Sequence, residues 1–515
     1  MATNTVVKKN FDITCPYCFA KFTSDKVHFR MQTAHKMGTS APLPDGYDDW
    51  DEVVTRYPNN DEKKRLLAMR DVYQFFTQRR DEKYEKFWET FGGITSETRP
   101  QDAMDDIEPY LRPVVDPANA EFQKYLQVQG QGQGGSREFL HYDADGMADS
   151  VTDMFGKVSN MRVCPHCHNP LPIHYGKNPV KFISVIGISG SGKTVYLSQL
   201  VRNIVTNTAK VGLTAYITSN STRQFLRENP VQMNMPLPGS TQPEYFVQPL
   251  FYDLLSTDEN GKAERNTVVL FDIAGENCTD EAKMANFGPF VRNAHGIVLL
   301  LDPKQLPFVN DDGYGDVEHV TAVLDTLYLT ITGSKSEKST TPLAVCIPKA
   351  DKPSIQQIFS YNPSEDVVWY QPPTPPKKLF RKQVIPPMES RPDLNTQQLL
   401  FEDVKNLVNP QTHLPVPVFY SNDYNAISRK LERMIGRYIP DLGMKLNSSY
   451  QDFNFFAFSA LGCDVMERVD ENGLTLSVPI SATSPKRIEE PLYWLFCKFG
   501  YIKPSEPLHQ PFAGN

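Results

Sequence analysis

A glycine-rich segment in the middle of the chain limits the possible folds more than any other feature. The apolar stretch Phe182–Gly187 has the length and composition of a buried strand, and it runs directly into the pattern Gly187-x-x-x-x-Gly192-Lys193-Thr194. Glycines at these positions let successive backbone N–H groups surround an anion, and the N-terminus of a following helix adds a positive dipole. The sequence therefore predicts a strand–loop–helix unit that binds phosphate groups.

Individual roles follow from the side chains of this loop. We expect Lys193 to reach the β- and γ-phosphates of a nucleoside triphosphate, and the Thr194 hydroxyl to bind Mg²⁺. The predicted phosphate-binding residues are Gly187, Ser189, Gly190, Ser191, Gly192, Lys193, Thr194 and Val195. A glycine-rich turn that binds nothing is the alternative, but the apolar strand before the loop and the helical stretch after it favour a phosphate site.

From Lys181 onward, apolar runs of strand length alternate with helical stretches, which is typical of a parallel sheet with helices on both faces. The predicted strands are Phe182–Gly187, Leu213–Thr218, Phe246–Leu254, Val268–Ile273, Gly296–Asp302, Leu343–Pro348 and Phe453–Phe458. The predicted helices are Thr194–Val205, Val317–Leu329, Gln397–Val408, Ala426–Tyr438 and Ile488–Phe499. We expect an α/β P-loop fold of three layers over about residues 178–505, with a proline-rich irregular insertion at 362–392.

A second apolar strand carries a carboxylate near its end. The segment Val268–Gly275 reads Val-Val-Leu-Phe-Asp-Ile-Ala-Gly, so Asp272 would be delivered next to the glycine-rich loop. There it could hold Mg²⁺ directly or through water, and the N–H of Gly275 could approach the γ-phosphate. An ordinary strand that ends in a turn is the alternative, and the glycine-rich loop upstream makes the Mg²⁺ role the better interpretation.

A third segment resembles a base-reading motif of GTPases. Leu343–Asp351 is similar to the strand and Asn/Thr-Lys-x-Asp motif of these proteins, with Lys349 and Asp351 matching and Pro348 in place of Asn or Thr. The resemblance implies that the carboxylate of Asp351 accepts hydrogen bonds from guanine N1–H and N2–H and that Lys349 lies over the base and ribose. Proline has no polar side chain with which to brace the phosphate loop, and a surface turn is the alternative interpretation of this segment.

A fourth segment, Phe455–Leu461, is similar to the Ser-Ala-Lys/Leu motif that closes the base pocket of many GTPases, although a plain strand end would look the same. The resemblance implies base contacts from Ser459, Ala460 and Leu461. All four elements occur in GTPase order, so residues of about 180–500 resemble the translation-factor-related (TRAFAC) class of P-loop GTPases.

Within that class the chain looks closest to bacterial double-GTPase proteins. This narrower resemblance depends on Asp272-Ile-Ala-Gly-Glu276, on the segment Arg487–Trp494 and on two Cys-x-x-Cys pairs. Such proteins are predicted components of multi-gene conflict or signalling systems and can carry zinc ribbons. The resemblance therefore implies a GTP/GDP-binding, GTP-hydrolysing switch that acts with partner proteins.

The resemblance also suggests where hydrolysis and switching would occur. Glu276 stands where many GTPases have a Gln that orients the attacking water, and its negative charge beside phosphate predicts a low intrinsic rate. A partner that supplies an arginine would raise such a rate by about 10³–10⁵. Thr241 is the best candidate for the first switch residue that senses Mg²⁺ and the γ-phosphate. The competing hydroxyl residues are Thr214, Thr218 and Ser240.

Two similar cysteine pairs predict a zinc site. In Cys15-Pro-Tyr-Cys18 and Cys164-Pro-His-Cys167, the two-residue spacing lets both thiolates of a pair bind one tetrahedral Zn²⁺. Because 145 residues lie between the pairs, we expect a split zinc ribbon formed by residues 1–40 and 158–177. The insertion at 41–157 should be mostly helical, with a flexible Gly/Gln linker. Four thiolates leave no open position for water, so this zinc would be structural.

Other ligand sets remain open for these cysteines. His28 and His35 could complete a site with the first pair, and His168 and His174 could do so with the second, although their spacing fits such sites poorly. A redox Cys-x-x-Cys would need a thioredoxin-like strand–helix setting, which the sequence lacks. Inside the insertion, Asp61–Phe91 is predicted as one helix, capped by Asn60 or Asp61.

Composition excludes some functions and leaves others open. The net charge of −8 argues against a dominant nucleic-acid surface. No run of ~18 apolar residues is present, and the N-terminus lacks the apolar core of a signal peptide, so we expect a cytoplasmic protein without a membrane span. Its cysteines are then metal ligands or buried thiols rather than disulfides. A related ATPase, a nucleotide-binding scaffold that does not hydrolyse, and nucleic-acid binding by the zinc ribbon remain as alternatives.

Overall fold

The structure is a computed structural model. It describes residues 8–36, 39–78, 80–93, 112–126, 139–187, 190–239, 248–257, 263–278, 281–307, 309, 317–333, 337–370, 372, 385–471 and 473–512. The chain forms two compact units. The first consists of Met1–Val180, Ile217–Gln224 and Glu244–Tyr252, and the second of Lys181–Tyr216, Phe225–Pro243 and Asp253–Asn515. None of the described helices is long and apolar enough to cross a membrane.

The first unit contains short strands arranged in three small sheets. Its described strands are β1 (Asp12–Thr14), β2 (Lys21–Thr23), β3 (His28–Arg30), β4 (Val114–Val115), β5 (Leu140–Tyr142), β6 (Ala148–Thr152), β7 (Val158–Ser159) and β8 (Arg162–Val163). Strand β1 pairs with β2, β3 lies between β4 and β8, and β6 lies between β5 and β7, all antiparallel. Sheets this small have little stability of their own. The unit must therefore be held together by other contacts, including those of the cysteine cluster described below.

The helices of the first unit are α1 (Trp50–Arg56), α2 (Asp61–Phe76), α3 (Glu82–Glu89) and α4 (Ala120–Gln123). The prediction of a single helix over Asp61–Phe91 is wrong, because the chain breaks between α2 and α3. Asp81 causes this break. One of its carboxylate oxygens accepts a hydrogen bond from the backbone N–H of Tyr84 and so caps α3, while the other binds Arg30 at 2.6 Å. The predicted cap of the first helix is confirmed, since the Asn60 side chain accepts from the N–H of Lys63.

The insertion also contains strands β4, β5 and β6, which the helical prediction omitted. The predicted Gly/Gln linker lies outside the described residues.

The second unit is built on a seven-stranded sheet. Its strands and those that follow are β9 (Val180–Gly187), β10 (Thr214–Ile217), β11 (Leu250–Thr257), β12 (Ala263–Ala274), β13 (Gly296–Leu300), β14 (Leu343–Ile347), β15 (Val367–Tyr370), β16 (Glu389–Pro392), β17 (Val418–Phe419), β18 (Phe453–Ala457), β19 (Val465–Val469), β20 (Thr475–Pro479) and β21 (Lys503–Pro504). The order across the sheet is β10-β11-β12-β9-β13-β14-β18. Each of the seven predicted strands overlaps one of these strands, so the predicted mixed α/β class with a large, mostly parallel sheet is confirmed.

Strand direction differs between the two sides of the sheet. Strands β9, β13, β14 and β18 run parallel to one another. Strand β11 lies beside β12, with the Thr267 hydroxyl bonded to Asp253 and the Ser256 hydroxyl to the Glu264 carbonyl. Because later residues of β11 face earlier residues of β12, this pair is antiparallel. Strands β13, β14 and β18 are buried along their whole length, as expected for parallel strands that are covered on both faces.

The register brings the ends of four strands to one edge of the sheet. Leu300 lies opposite both Gly187 and Cys346, and Ile347 lies opposite Ala457. The loops that follow β9, β13, β14 and β18 therefore begin side by side. In open α/β sheets, ligands bind in the crevice outside the carboxyl ends of the strands, so this edge is where a site is expected.

The helices of the second unit surround this sheet in the chain order of an α/β domain. They are α5 (Lys193–Lys210), α6 (Asn220–Glu228), α7 (Glu281–Arg292), α8 (Val317–Thr332), α9 (Pro353–Gln356), α10 (Thr396–Leu399), α11 (Ser421–Tyr438), α12 (Pro440–Ser449) and α13 (Glu490–Phe499). The first five residues of α6, Asn220–Gln224, belong to the first unit, and the rest of the helix belongs to the second. The predicted helix Gln397–Val408 is wrong beyond Leu399, whose carbonyl oxygen accepts a hydrogen bond from the Arg487 guanidinium instead of continuing the helix. Within the predicted proline-rich insertion, β15 and β16 form an antiparallel pair.

Candidate nucleotide and metal sites

The two cysteine pairs sit in turns with the same hydrogen bonds. In the first, the N–H of Tyr17 donates to Cys15 Sγ at 3.4 Å, and the N–H of Phe19 donates to the Cys15 carbonyl. In the second, the N–H groups of His166 and His168 make the equivalent bonds to Cys164. Phe19 and His168 also share a left-handed backbone, with φ of 56° and 51°. Two segments far apart in the chain thus form matching zinc-knuckle turns.

The four sulfur atoms of these turns form one cluster. Cys15 Sγ lies 3.7 Å from Cys167 Sγ, and Cys18 Sγ lies 3.7 Å from Cys164 Sγ. All four are within 4.8 Å of one another. Four sulfurs bound tetrahedrally to Zn²⁺ at ~2.3 Å would lie roughly 3.8 Å apart, so the donor set and its spacing fit zinc. Burial raises the pKa of the Cys15 and Cys167 thiols well above the ordinary value, and a bound cation is what would keep such sulfurs ionised.

The histidines considered as ligands lie apart from the sulfur cluster. His28 Nδ1 is 3.2 Å from His168 Nε2, and His168 Nδ1 bonds to Asp81 at 2.8 Å. His35 stacks on Tyr73, whereas His174 lies 3.7 Å from a carboxylate oxygen of Asp143. Among the residues that the structure describes, the four cysteines are the one group with metal-ligand spacing. The geometry therefore favours a four-cysteine site over mixed cysteine–histidine sites.

The phosphate loop connects β9 to α5 and requires glycine at several positions. Gly192 precedes the first helical residue, Lys193, with φ of 81°. A Cβ atom at Gly187 would lie 2.5 Å from Lys193 Cβ, and one at Gly190, where φ is 80°, would lie 2.5 Å from Asp302 Oδ2. A side chain at Gly187 or Gly190 would therefore distort the loop at the helix N-terminus, where N–H groups are available to an anion.

A polar atom without a partner lies inside this loop. Ser191 is 1% exposed, and its Oγ has no hydrogen-bond partner among the described residues. A buried hydroxyl without a partner is unfavourable by roughly 1–3 kcal/mol. The loop is therefore arranged for an acceptor that the described residues do not provide, and a phosphate oxygen is an acceptor of this kind.

The two charged residues predicted to bind phosphate and Mg²⁺ contact each other. Lys193 Nζ forms an ion pair with Asp272 Oδ1, and the two side chains are 7% and 1% exposed. Asp272 lies near the end of β12, and Thr194 lies in the first turn of α5. A carboxylate and a hydroxyl are the oxygen ligands that Mg²⁺ uses together with substrate phosphates. The residues present fit a magnesium ion at this end of the site.

The loop after β14 contacts the phosphate loop through Lys349. Its Nζ donates to the carbonyl oxygen of Gly190 at 2.5 Å and lies 3.8 Å from Asp302 Oδ1. Burial lowers the pKa of Lys349, while the carboxylate of Asp302 acts in the opposite direction. The left-handed backbone of Lys349, with φ of 60°, follows Pro348 directly. Lys349 therefore braces the phosphate loop at a place where Pro348 cannot.

The loop after β18 is held by a segment near the end of the chain. Ser459 exchanges two backbone hydrogen bonds with Lys486, at 3.0 and 2.8 Å, and its Oγ accepts from the N–H of Gly462. The next residue, Arg487, is fully buried and bonds to both carboxylate oxygens of Glu490, at 3.1 and 2.6 Å. Burial raises the pKa of Glu490 to about 7, although the charge of Arg487 opposes the shift. A buried ion pair thus supports the predicted base-closing loop.

These loops line one cavity of about 930 Å³ in the second unit. Its phosphate-loop wall consists of Gly190, Ser191, Gly192 and Val195. Its other wall includes the predicted base-reading residues Lys349, Asp351, Ser459, Ala460 and Leu461. The volume is within the range of natural ligand pockets, and the phosphate loop and the predicted base motifs border the same space.

Comparison with known proteins gives a family for this part of the chain. Residues 181–367 match the family model described as Double-GTPase 2. The segment 181–367 is a double-GTPase domain. The resemblance to double-GTPase proteins inferred from the motifs is thereby confirmed.

The other comparisons add little to this result. No curated protein matches the chain. Among solved structures, a Sup35 complex with GMPPNP is 11% identical, with 55% of this chain covered, 38% of that chain covered and a TM-score of 0.19. A Sup35 complex with GDP is 12% identical, with 61% of this chain and 44% of that chain covered and a TM-score of 0.20. The S. cerevisiae Ski7 GTPase-like domain, bound to GTP, is 14% identical, with 35% of this chain and 36% of that chain covered and a TM-score of 0.17. The chain spans less than half the length of each, and scores this low carry no structural argument.

Some residues predicted to function in the double-GTPase domain are only partly described. Gly275 and Glu276 begin a short 3₁₀ helix, Gly275–Cys278, directly after β12, and the side chain of Glu276 is outside the described part. Ser189 and Thr241 also lie outside the described residues. Their proposed roles stay predictions.

Asp302 is a site residue of the double-GTPase domain that the sequence interpretation missed. It follows β13 at the same edge of the sheet as the phosphate loop, and its carboxylate lies beside both Gly190 and Lys349. The sequence did contain a signal for this role, because Asp302 is a polar residue directly after the apolar run Gly296–Leu301. The strand was predicted to include Asp302, and this hid its position in the loop.

Proposed function

We propose that the double-GTPase domain binds GTP with Mg²⁺ and hydrolyses it slowly, as a switch whose state is read by partner proteins in a bacterial conflict or signalling system. The observation that carries this proposal is the buried Lys193–Asp272 pair, together with a buried Ser191 hydroxyl that has no partner among the described residues. Ser191 lines a crevice whose other wall contains Asp351, and Lys193 directly follows Gly192 of the same phosphate-loop wall. This arrangement suits a ligand with a polyphosphate at one end and a base at the other.

Binding would rearrange the ion pair. The Lys193 ammonium would turn from Asp272 to the β- and γ-phosphate oxygens, and the freed carboxylate would join Thr194 in holding Mg²⁺. The bound ion would neutralise charge on the phosphates. Since Asp272 precedes Gly275 by only three residues, this exchange would move the start of the 3₁₀ helix Gly275–Cys278 and so make the nucleotide state visible to a partner.

Hydrolysis would use water as the nucleophile. Its oxygen forms a bond to the γ-phosphorus while the bond from that phosphorus to the β–γ bridging oxygen breaks, which yields GDP and inorganic phosphate. Lys193 and the N–H groups of the loop would stabilise charge on the phosphate oxygens. We propose Glu276 as the residue near the attacking water, and its charge is the reason for expecting a low rate without a partner.

The base-binding end supports GTP over ATP. The Asp351 carboxylate borders the crevice, and only guanine offers it two adjacent N–H donors. Pro348 replaces the polar residue of the usual motif, which is the one observation that favours a related ATPase. In the first unit, we propose a structural Zn²⁺ held by Cys15, Cys18, Cys164 and Cys167.

Calorimetric titration with GTP, GDP, ATP and ADP, each with and without Mg²⁺, tests this proposal. We expect GTP and GDP to bind at least tenfold more tightly than ATP, and GTP affinity to depend on Mg²⁺. Equal or tighter ATP binding would favour the ATPase. Tight GTP binding without phosphate release, even with partner proteins present, would favour a scaffold, and absence of binding at millimolar GTP would contradict the whole proposal.

A further inference from the structure

The crevice in the second unit has a third wall, which none of the recognised motifs supplies. Besides the phosphate loop and the base motifs, it is lined by Leu237, Cys463, Val465 and Ser477. Leu237 comes from the segment after α6, and the other three come from β19, β20 and the turn before them. We call residues 234–237 together with the β19–β20 hairpin the side wall.

The side wall is held together by backbone hydrogen bonds. The N–H of Asn234 donates to the Pro479 carbonyl at 3.0 Å, and the N–H of Leu237 donates to the Ser477 carbonyl at 2.9 Å. Ser477 in turn lies opposite Glu467 in the antiparallel hairpin. Two chain segments more than 200 residues apart therefore form one continuous layer, which no local pattern in the sequence would indicate.

The side wall starts directly at the base-reading loops. Gly462 follows the predicted base-closing residue Leu461 and has φ of 61°. A Cβ atom there would overlap the Ser484 carbonyl, so the chain can turn into the hairpin only with glycine at this position. Lys352, next to Asp351, forms an ion pair with Asp464 at 3.9 Å. These contacts place the hairpin beside the base end of the crevice.

The chemistry of the side wall suits the nucleoside rather than the phosphates. Leu237 and Val465 are half-buried apolar side chains, and the wall's polar contribution comes from Ser477 and the half-buried Cys463. None of the four described residues by which the side wall lines the crevice carries a positive charge. Apolar walls with a few polar groups are what purine and ribose faces bind in protein pockets.

We propose that Leu237 and Val465 are nucleotide-binding residues that pack against the base and ribose of the bound nucleotide. This inference rests on the proposed function and adds to it a contact surface outside the recognised motifs. It assigns to the β19–β20 hairpin a direct role in affinity, and it makes residues 234–237 part of the nucleotide site.

Titration of Leu237→Ala and Val465→Ala with GTP, GDP and inorganic tripolyphosphate, all with Mg²⁺, tests the proposal. Each substitution should weaken GTP and GDP binding by about five- to tenfold, since each removes apolar contact with the nucleoside. Tripolyphosphate has neither base nor ribose, so its affinity should stay within about twofold of the parent. Leu474→Ala is the matched control, because Leu474 is 62% exposed in the same hairpin and does not line the crevice in the described structure.

Three results would overturn the proposal in distinguishable ways. If the parent chain binds GTP and both substitutions leave its affinity unchanged, the side wall is wrong and the proposed function stands. If tripolyphosphate loses affinity as much as GTP does, the substitutions act on the phosphate loop rather than on nucleoside contacts. If the parent binds tripolyphosphate but gains nothing from the nucleoside part of GTP, both the side wall and the base-reading role of Asp351 are contradicted.

Discussion

The cysteine cluster and the nucleotide crevice are both assembled from distant parts of the chain, but they are complete to different degrees. In the cluster, all four ligand atoms are present at spacings that suit one tetrahedral ion. In the nucleotide site, the buried Ser191 hydroxyl has no partner among the described residues, and the oppositely charged Lys193 and Asp272 bind each other. The first site suits an ion that stays, whereas the second suits a ligand that enters, displaces an internal contact and leaves.

This difference separates two uses of binding energy. A closed cluster adds its binding free energy to the folded state as a whole. An open site that must break an ion pair links ligand binding to a local change of structure, which is the property a switch needs. The five changes below test this distinction, beginning with the one expected to have the largest effect.

Loss of a cluster cysteine should have the largest effect. Cys15→Ser replaces a buried thiol of the cluster, so we expect zinc content to fall from about one equivalent to near zero and thermal unfolding to occur at lower temperature. Structural zinc contributes roughly 10–16 kcal/mol in isolated zinc-finger peptides. Elemental analysis and calorimetry measure both quantities. Cys497→Ser, outside the cluster, is the control, and one equivalent of zinc retained by Cys15→Ser would refute the four-cysteine site.

Removal of the phosphate-loop lysine should have the next largest effect. Lys193→Ala takes away the ammonium that would bind the β- and γ-phosphates, so GTP, GDP and tripolyphosphate affinities should fall at least about 100-fold. It also removes the Lys193 ammonium from the buried carboxylate of Asp272, so circular dichroism must first establish that the variant folds. Lys210→Ala at the other end of α5 should bind like the parent. An affinity for Lys193→Ala within threefold of the parent would rule out the phosphate site.

Glycine substitutions in the loop separate backbone strain from collision. Gly190 and Gly192 have nearly the same φ, 80° and 81°, but a Cβ at Gly190 would lie 2.5 Å from Asp302 Oδ2, whereas one at Gly192 would have Lys349 Cε at 3.8 Å. Gly190→Ala should therefore weaken GTP binding by about tenfold or more, and Gly192→Ala by less, since only backbone strain of roughly 1–3 kcal/mol remains. Titration calorimetry compares them. The reverse ranking would mean that the loop moves away from Asp302.

Sequence alone identified most of the sheet and the local parts of both sites. The seven apolar runs from Phe182 to Phe458 predicted all seven strands. The signal is clearest for the parallel strands β13, β14 and β18, whose residues are all buried. The phosphate loop and the cysteine turns were predictable for a related reason. In each, residues close together in the sequence determine the local backbone turn, as in the hydrogen bonds of Tyr17 and Phe19 to Cys15.

The remaining features depend on contacts that no local pattern encodes. The helix predicted over Asp61–Phe91 breaks at Asp81 because that carboxylate binds Arg30, a residue in β3. The role of Asp302 is set by its distance from Gly190, and that of Leu237 by its hydrogen bond to Ser477. Tertiary contacts override local propensity at such positions, and only a three-dimensional structure brings the partners together.

Replacement of the predicted base-reading carboxylate, Asp351, tests the base-binding end of the crevice. Asp351→Ala should reduce the preference for GTP over ATP by about tenfold or more, because the two guanine N–H donors lose their acceptor. Titration with both nucleotides gives the ratio. Asp351→Asn should favour xanthosine triphosphate, whose C2 carbonyl can accept from the new amide. Asp464→Ala is the neighbouring control, and an unchanged ratio in Asp351→Ala would show that this carboxylate does not read the base.

Protonation of Glu490 should give the smallest effect, and it concerns the support of the base-closing loop rather than the ligand. Burial raises its pKa from 4.5 to about 7, so between these pH values the folded protein holds a proton that the unfolded chain releases. The contribution of Glu490 to the free energy of unfolding is therefore fully present below about 4.5 and is lost as pH rises toward 7.

Chemical denaturation from pH 5 to 8 measures this contribution as the difference between the parent and Glu490→Gln, which cannot ionise. The parent should lose stability relative to the variant as pH rises, by on the order of 1–3 kcal/mol. Glu467→Gln in the exposed strand β19 should show no such trend. A difference that stays constant with pH would mean that Arg487 keeps Glu490 ionised, in which case the base-closing loop is braced by a fixed ion pair.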